Sequence, residues 1–491
     1  MFKKLLISFL IFFGGVCLAQ RNYSDSPNLP EKPGVHHIKN LLEAINSGNS
    51  KQVESFIKNN FTKEFRDMSP LNTHIEIFLD QHTQHGNLTF HSVRSYDDPQ
   101  TETELVAIFN STKTGLYRAF TFYISPVKPF KINGLRFSSA RPPSNLPKRT
   151  SINMKEAIAE LDKYVKHMAK LDIFSGSVIL AKGDKVLYKA AYGMASKRYN
   201  VPNNLQTKFN LGSMNKMFTS VGIMQLVESG KLSLNDKLSK YVDESWLSKD
   251  ISDKIEIRHL LTHSSGLGSY FNQTFMETSK NLYRSLDDYK PLIKGEKLQF
   301  EPGTDNQYSN TGMFMLGVVI EKVTGQDYFN YIHKHIYQPA DMINSDSYEM
   351  DQPVSNLAIG YEPNRKNLTG WNNNLYLHVL KGGPAGGGFS TVEDLQNFAL
   401  ALTRYKLVGE NFTKQLYSIK PNLHSPNYGY GFQVDGTINN RIIGHGGGFD
   451  GINSNLDIYL DRGYISIVMS NYGHGAQAIK GKIRELLALV D

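Results

Sequence analysis

The stretch Leu211-Gly212-Ser213-Met214-Asn215-Lys216 decides how this chain is read. It sets a hydroxyl nucleophile and an amine three residues apart, at the expected start of a helix. Residues i and i+3 share a helix face, so the Ser213 hydroxyl and the Lys216 amine can meet. A free serine hydroxyl is a weak nucleophile and needs a neighbour to take its proton. A lysine in a desolvated site loses basicity and can be that neighbour. Met214 and Met217 flank Lys216 and favour such a site. A serine at a helix N-terminus also meets N–H groups that favour developing negative charge. The same residue would equally serve as a plain helix cap. Ser-x-x-Lys recurs at Ser55/Lys58 and Ser125/Lys128, so context must separate the three.

Context sets Ser213 apart. Tyr308-Ser309-Asn310 lies downstream, and His445-Gly446-Gly447 comes later. Tyr-x-Asn alone is common here, at Tyr270/Asn272 and Tyr328/Asn330, but the ordered trio is not. The pattern resembles the penicillin-recognising serine hydrolases: class C β-lactamases, DD-peptidases and related serine esterases. Three further segments are similar to that family. They are Leu260-Leu261-Thr262-His263-Ser264-Ser265-Gly266-Leu267, Pro384-Ala385-Gly386-Gly387-Gly388-Phe389-Ser390-Thr391 with Glu393-Asp394-Leu395 after it, and Tyr428-Gly429-Tyr430-Gly431-Phe432. The resemblance spans residues 153–491.

That resemblance implies an α+β fold, an antiparallel sheet flanked by helices with a helical subdomain inserted between its strands. It implies Ser213 as nucleophile, Lys216 as its base partner and Tyr308 as the group that passes the proton to the leaving group. Asn310 would bind the acyl side chain of the substrate. His445, Gly447 and Gly448 would line the cleft as an edge strand, where glycines let a ligand approach the backbone closely. The N–H groups of Ser213 and Gly448 would form an oxyanion hole, each worth about 3–4 kcal/mol toward the transition state. His263 is the competing base. The resemblance makes its loop scaffold, and no Gly-x-Ser-x-Gly elbow supports a serine–histidine triad.

One departure bears on substrate. β-Lactamases of this family carry Lys-Thr-Gly where this chain has His445-Gly446-Gly447. A histidine of ordinary pKa is mostly neutral near pH 7, and Gly446 has no hydroxyl. Both changes weaken recognition of a substrate carboxylate. The leading expectation is therefore an exported serine hydrolase acting on an ester or amide of a small molecule or peptide. A β-lactamase or DD-peptidase acting on cell-wall peptides is one alternative. A catalytically silent wall- or peptide-binding scaffold is another. No cofactor or metal is expected: His333/His335 and His36-His37 lack acidic partners at ligand spacing and read as ordinary exposed or half-buried histidines.

Composition is consistent with this. The 491 residues are too many for one core, and 40% hydrophobic with 20% charged content is that of a globular chain. The net charge of +8 is scattered without a basic run, which does not point to nucleic acid. Lys3-Lys4, the apolar Leu5–Val16 and Cys17-Leu18-Ala19 read as a signal peptide over residues 1–19, too short to span a bilayer. Val16 before Cys17 disfavours a lipoprotein. Periplasmic or secreted localisation follows. The mature chain then lacks cysteine, which excludes disulfides and thiol catalysis.

Residues 20–36, with Pro27, Pro30, Pro33 and Gly34, read as flexible. Residues 37–141 open with amphipathic helices and continue with strand-like runs, Leu88–Val93, Glu104–Phe109, Leu116–Ile124 and Lys131–Phe137. This layout resembles an NTF2-like α+β cone. Residues 142–152, led by Pro142-Pro143, read as a linker to the catalytic domain at 153–491. There a helix stripe (Ala157, Leu161, Val165, Met168) precedes the hairpin Ser177–Ala181/Lys185–Ala190. Late strands are expected at Gly429–Val434, Arg441–His445, Asn455–Tyr459 and Tyr464–Met469, then a helix at Ile479–Val490.

Overall fold

The computed structural model describes residues 22–97, 101–147, 149–364, 370–437 and 439–490. The expected signal peptide at 1–19 lies outside the described residues. The chain divides into two compact units. One is built on Gln20–Asn153, the other on Met154–Pro363 with Trp371–Leu486.

In the first unit the helices His36–Asn46, Ser50–Asn60, Lys63–Asp67 and Leu71–His85 precede a five-stranded antiparallel sheet. Four strands, Leu88–Tyr96, Glu104–Ser111, Tyr117–Ile124 and Ile132–Ser139, coincide with the runs of alternating residues. Phe56, Phe61, Phe78, Phe109, Phe120 and Phe122 fill the core between helices and sheet. The fifth strand, Tyr23–Ser26, falls in the segment expected to be flexible. It pairs with Leu88–Tyr96 and carries Asp25, whose carboxylate takes Arg94 Nε at 3.0 Å and Ser144 N at 2.8 Å. A strand held by one buried ion pair has no apolar alternation to announce it. His37 also departs from expectation. It opens a helix and is 2% exposed, held between Asn60 Oδ1 at 3.1 Å and the Phe130 carbonyl at 3.0 Å.

The second unit is built on a six-stranded antiparallel sheet. Its order is Gln433–Thr437, Asn440–Phe449, Ile452–Tyr459, Tyr464–Ser470, Gly176–Lys182, Lys185–Tyr192. The early hairpin thus closes against the last strand, with Ile179 opposite Ile467. Every residue of Ile452–Tyr459 and Tyr464–Ser470 is buried, so both faces are covered. The helix Met154–Lys170 buries Ala157, Leu161, Val165 and Met168. The helix Asn215–Glu228 is buried almost all round, as is Asn310–Thr324, and the two pack together in the helical layer. Helices apolar on every side lack an amphipathic stripe and belong inside a core.

Two local differences shape the site. Ser213 does not open the α-helix directly. A 3₁₀ turn, Gly212–Met214, comes first, with Gly212 at φ +51°. The strand expected from Gly429 begins only at Gln433. Gly431 has φ +81°, and a Cβ there would stand 1.9 Å from Ser220 Oγ, so the Tyr428–Phe432 segment wraps tightly against the helix Asn215–Glu228 instead of extending.

Candidate active site

Ser213 is held on its turn from several sides. Asn210 Oδ1 takes the Gly212 N–H at 2.8 Å, and the Gly212 carbonyl takes the Gly387 N–H at 3.1 Å. The Gly212 α-carbon lies against the strand edge: a Cβ there would be 3.0 Å from Gly448 N. Among the described residues the one strand paired to this side of Asn440–Phe449 ends its register at Gly444. Residues 445–449 therefore face the Ser213 turn instead of another strand.

Lys216, one helical turn on, is completely buried. Its Nζ is 3.1 Å from Ser213 Oγ, 2.9 Å from Asn310 Oδ1, and also bonded to the Ala385 carbonyl. Burial holds its pKa well below that of a free lysine, and among the described residues no carboxylate opposes this. A neutral amine has two N–H donors and one lone pair. The carbonyl oxygens of Asn310 and Ala385 only accept, so they take both donors. The lone pair is left for the Ser213 hydroxyl.

Tyr308 completes the triangle. Its hydroxyl lies beside Ser213, whose side chain partly offsets the effect of burial on its pKa, and Lys216 Nζ is 4.8 Å from its ring centre. The residue is 37% exposed, but its hydroxyl end is enclosed and burial raises its pKa. Tyr308 thus stays protonated near neutrality and is a proton donor. Ser309 caps the next helix, accepting from Gly312 N at 2.8 Å. That cap sets Asn310 as the first helical residue, with its amide reaching Lys216 on one side and Ser269 Oγ at 3.2 Å on the other.

His263 sits under this group with 2% exposure and φ +61°. Its Nδ1 accepts the Ser309 N–H at 3.2 Å, and its ring lies 4.4 Å from that of Tyr308 and 4.6 Å from that of Tyr428. Burial holds its pKa well below that of a free histidine. These contacts make it the platform beneath Tyr308. His445 is also buried. Burial pushes its pKa down to about 3. Tyr428 Oη lies 2.9 Å from its Nε2.

Ser213, Lys216, Tyr308 and Asn310 therefore meet at one point, and His445, Gly447 and Gly448 share the strand beside it. Sequence reasoning gave no role to Ala385 or Tyr428, although both lie in segments that had been matched as blocks. It also missed the network behind Ala385. Asn215 Nδ2 donates to the Gly383 carbonyl at 2.7 Å, and Thr219 Oγ1 bonds the Pro384 carbonyl at 2.8 Å and Tyr328 Oη at 2.7 Å. Among the described residues no cluster of acidic residues, histidine or cysteine is arranged to hold a metal, and no helix is long and apolar enough to cross a membrane.

The sequence profile of the Beta-lactamase family matches residues 161–490. Penicillin-binding protein 4* of Bacillus subtilis is 29% identical over 316 residues, 61% of this chain and 68% of that protein. The crystal structure of a penicillin binding protein from Bacillus halodurans superposes with a TM-score of 0.59 at 28% identity, over 69% of this chain and all of that one. A D-stereospecific amidohydrolase from Streptomyces sp. shares the fold, with a TM-score of 0.54 at 24% identity over 66% of this chain and 97% of that one.

Proposed function

From the premise that the chain belongs to the Beta-lactamase family, we propose that it is an exported serine hydrolase that cleaves an ester or amide through an acyl-enzyme on Ser213. The observation that carries the proposal is a fully buried lysine, its pKa held well below that of a free lysine, with Nζ 3.1 Å from Ser213 Oγ. Burying an amine without a countercharge disfavours its charged form. Such a group is retained where its lone pair is used.

In this reading Lys216 takes the Ser213 proton as Oγ bonds to the substrate carbonyl carbon. The oxyanion rests on the N–H groups of Ser213 and Gly448, which the contact between Gly212 and Gly448 supports. Lys216, now an ammonium, returns its proton through Tyr308 to the leaving oxygen or nitrogen as that bond breaks. Water then enters, the same groups act in reverse, and Ser213 is freed.

The buried, neutral His445 favours uncharged substrates over those recognised by a carboxylate. A carboxylate desolvated without a firm cation loses about 1–3 kcal/mol, roughly 5- to 150-fold in rate. Short-chain p-nitrophenyl esters should accordingly be turned over with higher kcat/KM than nitrocefin. Two relatives are named penicillin-binding proteins, so a penicillin is the next compound to compare. A fluorophosphonate should form one adduct, located by peptide mass spectrometry on Ser213. An adduct on Ser55 or Ser125 instead would overturn the assignment.

A further inference from the structure

His445 has a proton arrangement that its neighbours dictate. Its Nδ1 is 2.5 Å from the carbonyl oxygen of Gly446. A carbonyl only accepts, so Nδ1 carries the hydrogen. A neutral imidazole has one N–H, so Nε2 is the acceptor. The Tyr428 hydroxyl, 2.9 Å away, is then the donor to Nε2. Both ring nitrogens are thereby used inside the protein. The ring is 2% exposed and Tyr428 is 9% exposed.

We propose that Tyr428 is a specificity-determining residue: its O–H locks His445 as the Nδ1–H imidazole, leaving the cleft-side strand without a cation and selecting uncharged acyl groups over carboxylate-bearing ones. The proposal rests on the hydrolase reading above and deepens it.

The surroundings of His445 hold the lock in place. A proton arriving at Nε2 would need Tyr428 to turn its own O–H away into a buried space. The groups facing His445 come from several elements. Lys480 on the helix Gly475–Leu489 opposes a positive charge on His445, and Lys216 does so whenever it holds the proton taken from Ser213. Tyr308, whose ring centre is 6.5 Å from that of His445, is uncharged, and the neutral His263 lies between Tyr308 and Tyr428. Among the described residues no carboxylate acts on His445 to favour its ionisation. Removing the Tyr428 hydroxyl takes away the one contact that requires a lone pair at Nε2. It frees that nitrogen to gain a proton and to meet an anionic substrate.

The test uses the full chain and two readouts. Imidazole nitrogen resonances from ¹⁵N-histidine-labelled protein, with His445 assigned by its loss in His445→Gln, should show Nδ1–H and unprotonated Nε2 from about pH 8 down to about pH 5.5, a range in which an unperturbed histidine ionises. In Tyr428→Phe, which keeps the ring volume, His445 should begin to protonate within that range. In parallel, 4-nitrophenyl hexanoate and mono-4-nitrophenyl adipate compare an uncharged with a carboxylate-bearing acyl chain of equal length. Wild type should prefer hexanoate at every pH. In Tyr428→Phe the adipate-to-hexanoate ratio of kcat/KM should rise as pH falls, by roughly ten-fold, the value of a hydrogen bond to a charged group. Observing Nε2–H or a titrating His445 in wild type overturns the proposal, and so does an unchanged ratio in Tyr428→Phe. The resonance experiment does not need turnover. A failure of Ser213 to label would remove the hydrolase reading without touching the tautomer result.

Discussion

Asn310 accepts a hydrogen bond from Lys216 through its amide oxygen at 2.9 Å, so the residue expected at the substrate's acyl side chain also orients the base. The neutral amide suits that task, since it takes an N–H without favouring the ammonium. Asn310→Asp would put a carboxylate in its place and raise the Lys216 pKa. In the proposed mechanism Lys216 works unprotonated, so raising its pKa moves the acidic limb of kcat/KM to higher pH. The expected result is a loss near pH 7 of roughly 10²-fold that recovers as pH rises. An acidic limb that stays where it is would show that Lys216 is not the titrating base.

The extent to which the sequence announces this site follows from how each residue makes its contact. Ser213 and Lys216 are three apart, and helical geometry alone can join them. Tyr308 and Asn310 are about a hundred positions away, so only the ordered pattern indicates the meeting. The Ala385 carbonyl and the Tyr428 hydroxyl leave no trace of this kind. A main-chain oxygen has no sequence signature, and the Tyr428–His445 bond depends on a loop that wraps because Gly431 takes φ +81°. The strand Tyr23–Ser26 is hidden for a related reason. Its stability comes from Asp25 and Arg94, residues that local patterning assigns to solvent. The sheet of the second unit is legible because Tyr464–Ser470 and Ile452–Tyr459 are runs that burial on both faces requires to be largely apolar.

Lys216→Met should separate stability from activity. Burial lowers the Lys216 pKa in the fold relative to the unfolded chain. Between the two pKa values the unfolded state binds more protons, so the folded state is penalised there and stability rises with pH. Methionine fills similar volume without that penalty. The variant's Tm should equal or exceed that of wild type, with the largest gain at the lower pH values, while kcat falls by roughly 10²-fold or more. A clear loss of Tm would mean that the amine's hydrogen bonds outweigh its desolvation.

Thr219→Val probes the support behind Ala385. The substitution is close to isosteric but removes the bonds to the Pro384 carbonyl and Tyr328 Oη. Each buried group left unpaired costs about 1–3 kcal/mol. Urea unfolding should show a loss in that range. The segment carrying the Ala385 carbonyl would lose its anchor, so kcat should fall more than KM rises. Unchanged kcat alongside the stability loss would confine the network to a structural role.

Adjacent glycines on the cleft strand should respond differently to the same methyl group. At Gly446 a Cβ would meet its nearest neighbours, Asn455 Oδ1 and the Ser454 carbonyl, at 3.5 and 3.6 Å, ordinary contact distances. At Gly447 it would stand 1.9 Å from the Leu211 carbonyl and 3.1 Å from the Gly212 α-carbon. Those atoms are main chain and lead directly into Ser213. They cannot yield without moving either the nucleophile's turn or the strand that carries Gly448 N. Gly446→Ala should therefore keep near wild-type kcat and stability. Gly447→Ala should lower kcat by roughly 10²- to 10³-fold, the loss seen when one oxyanion donor is displaced. Its rate of fluorophosphonate labelling should fall in parallel, because that adduct uses the same donors. Circular dichroism and Tm separate misplacement from unfolding. Equal activity in the two variants would show that the contact between Leu211-Gly212 and the strand does not set the geometry of the oxyanion site.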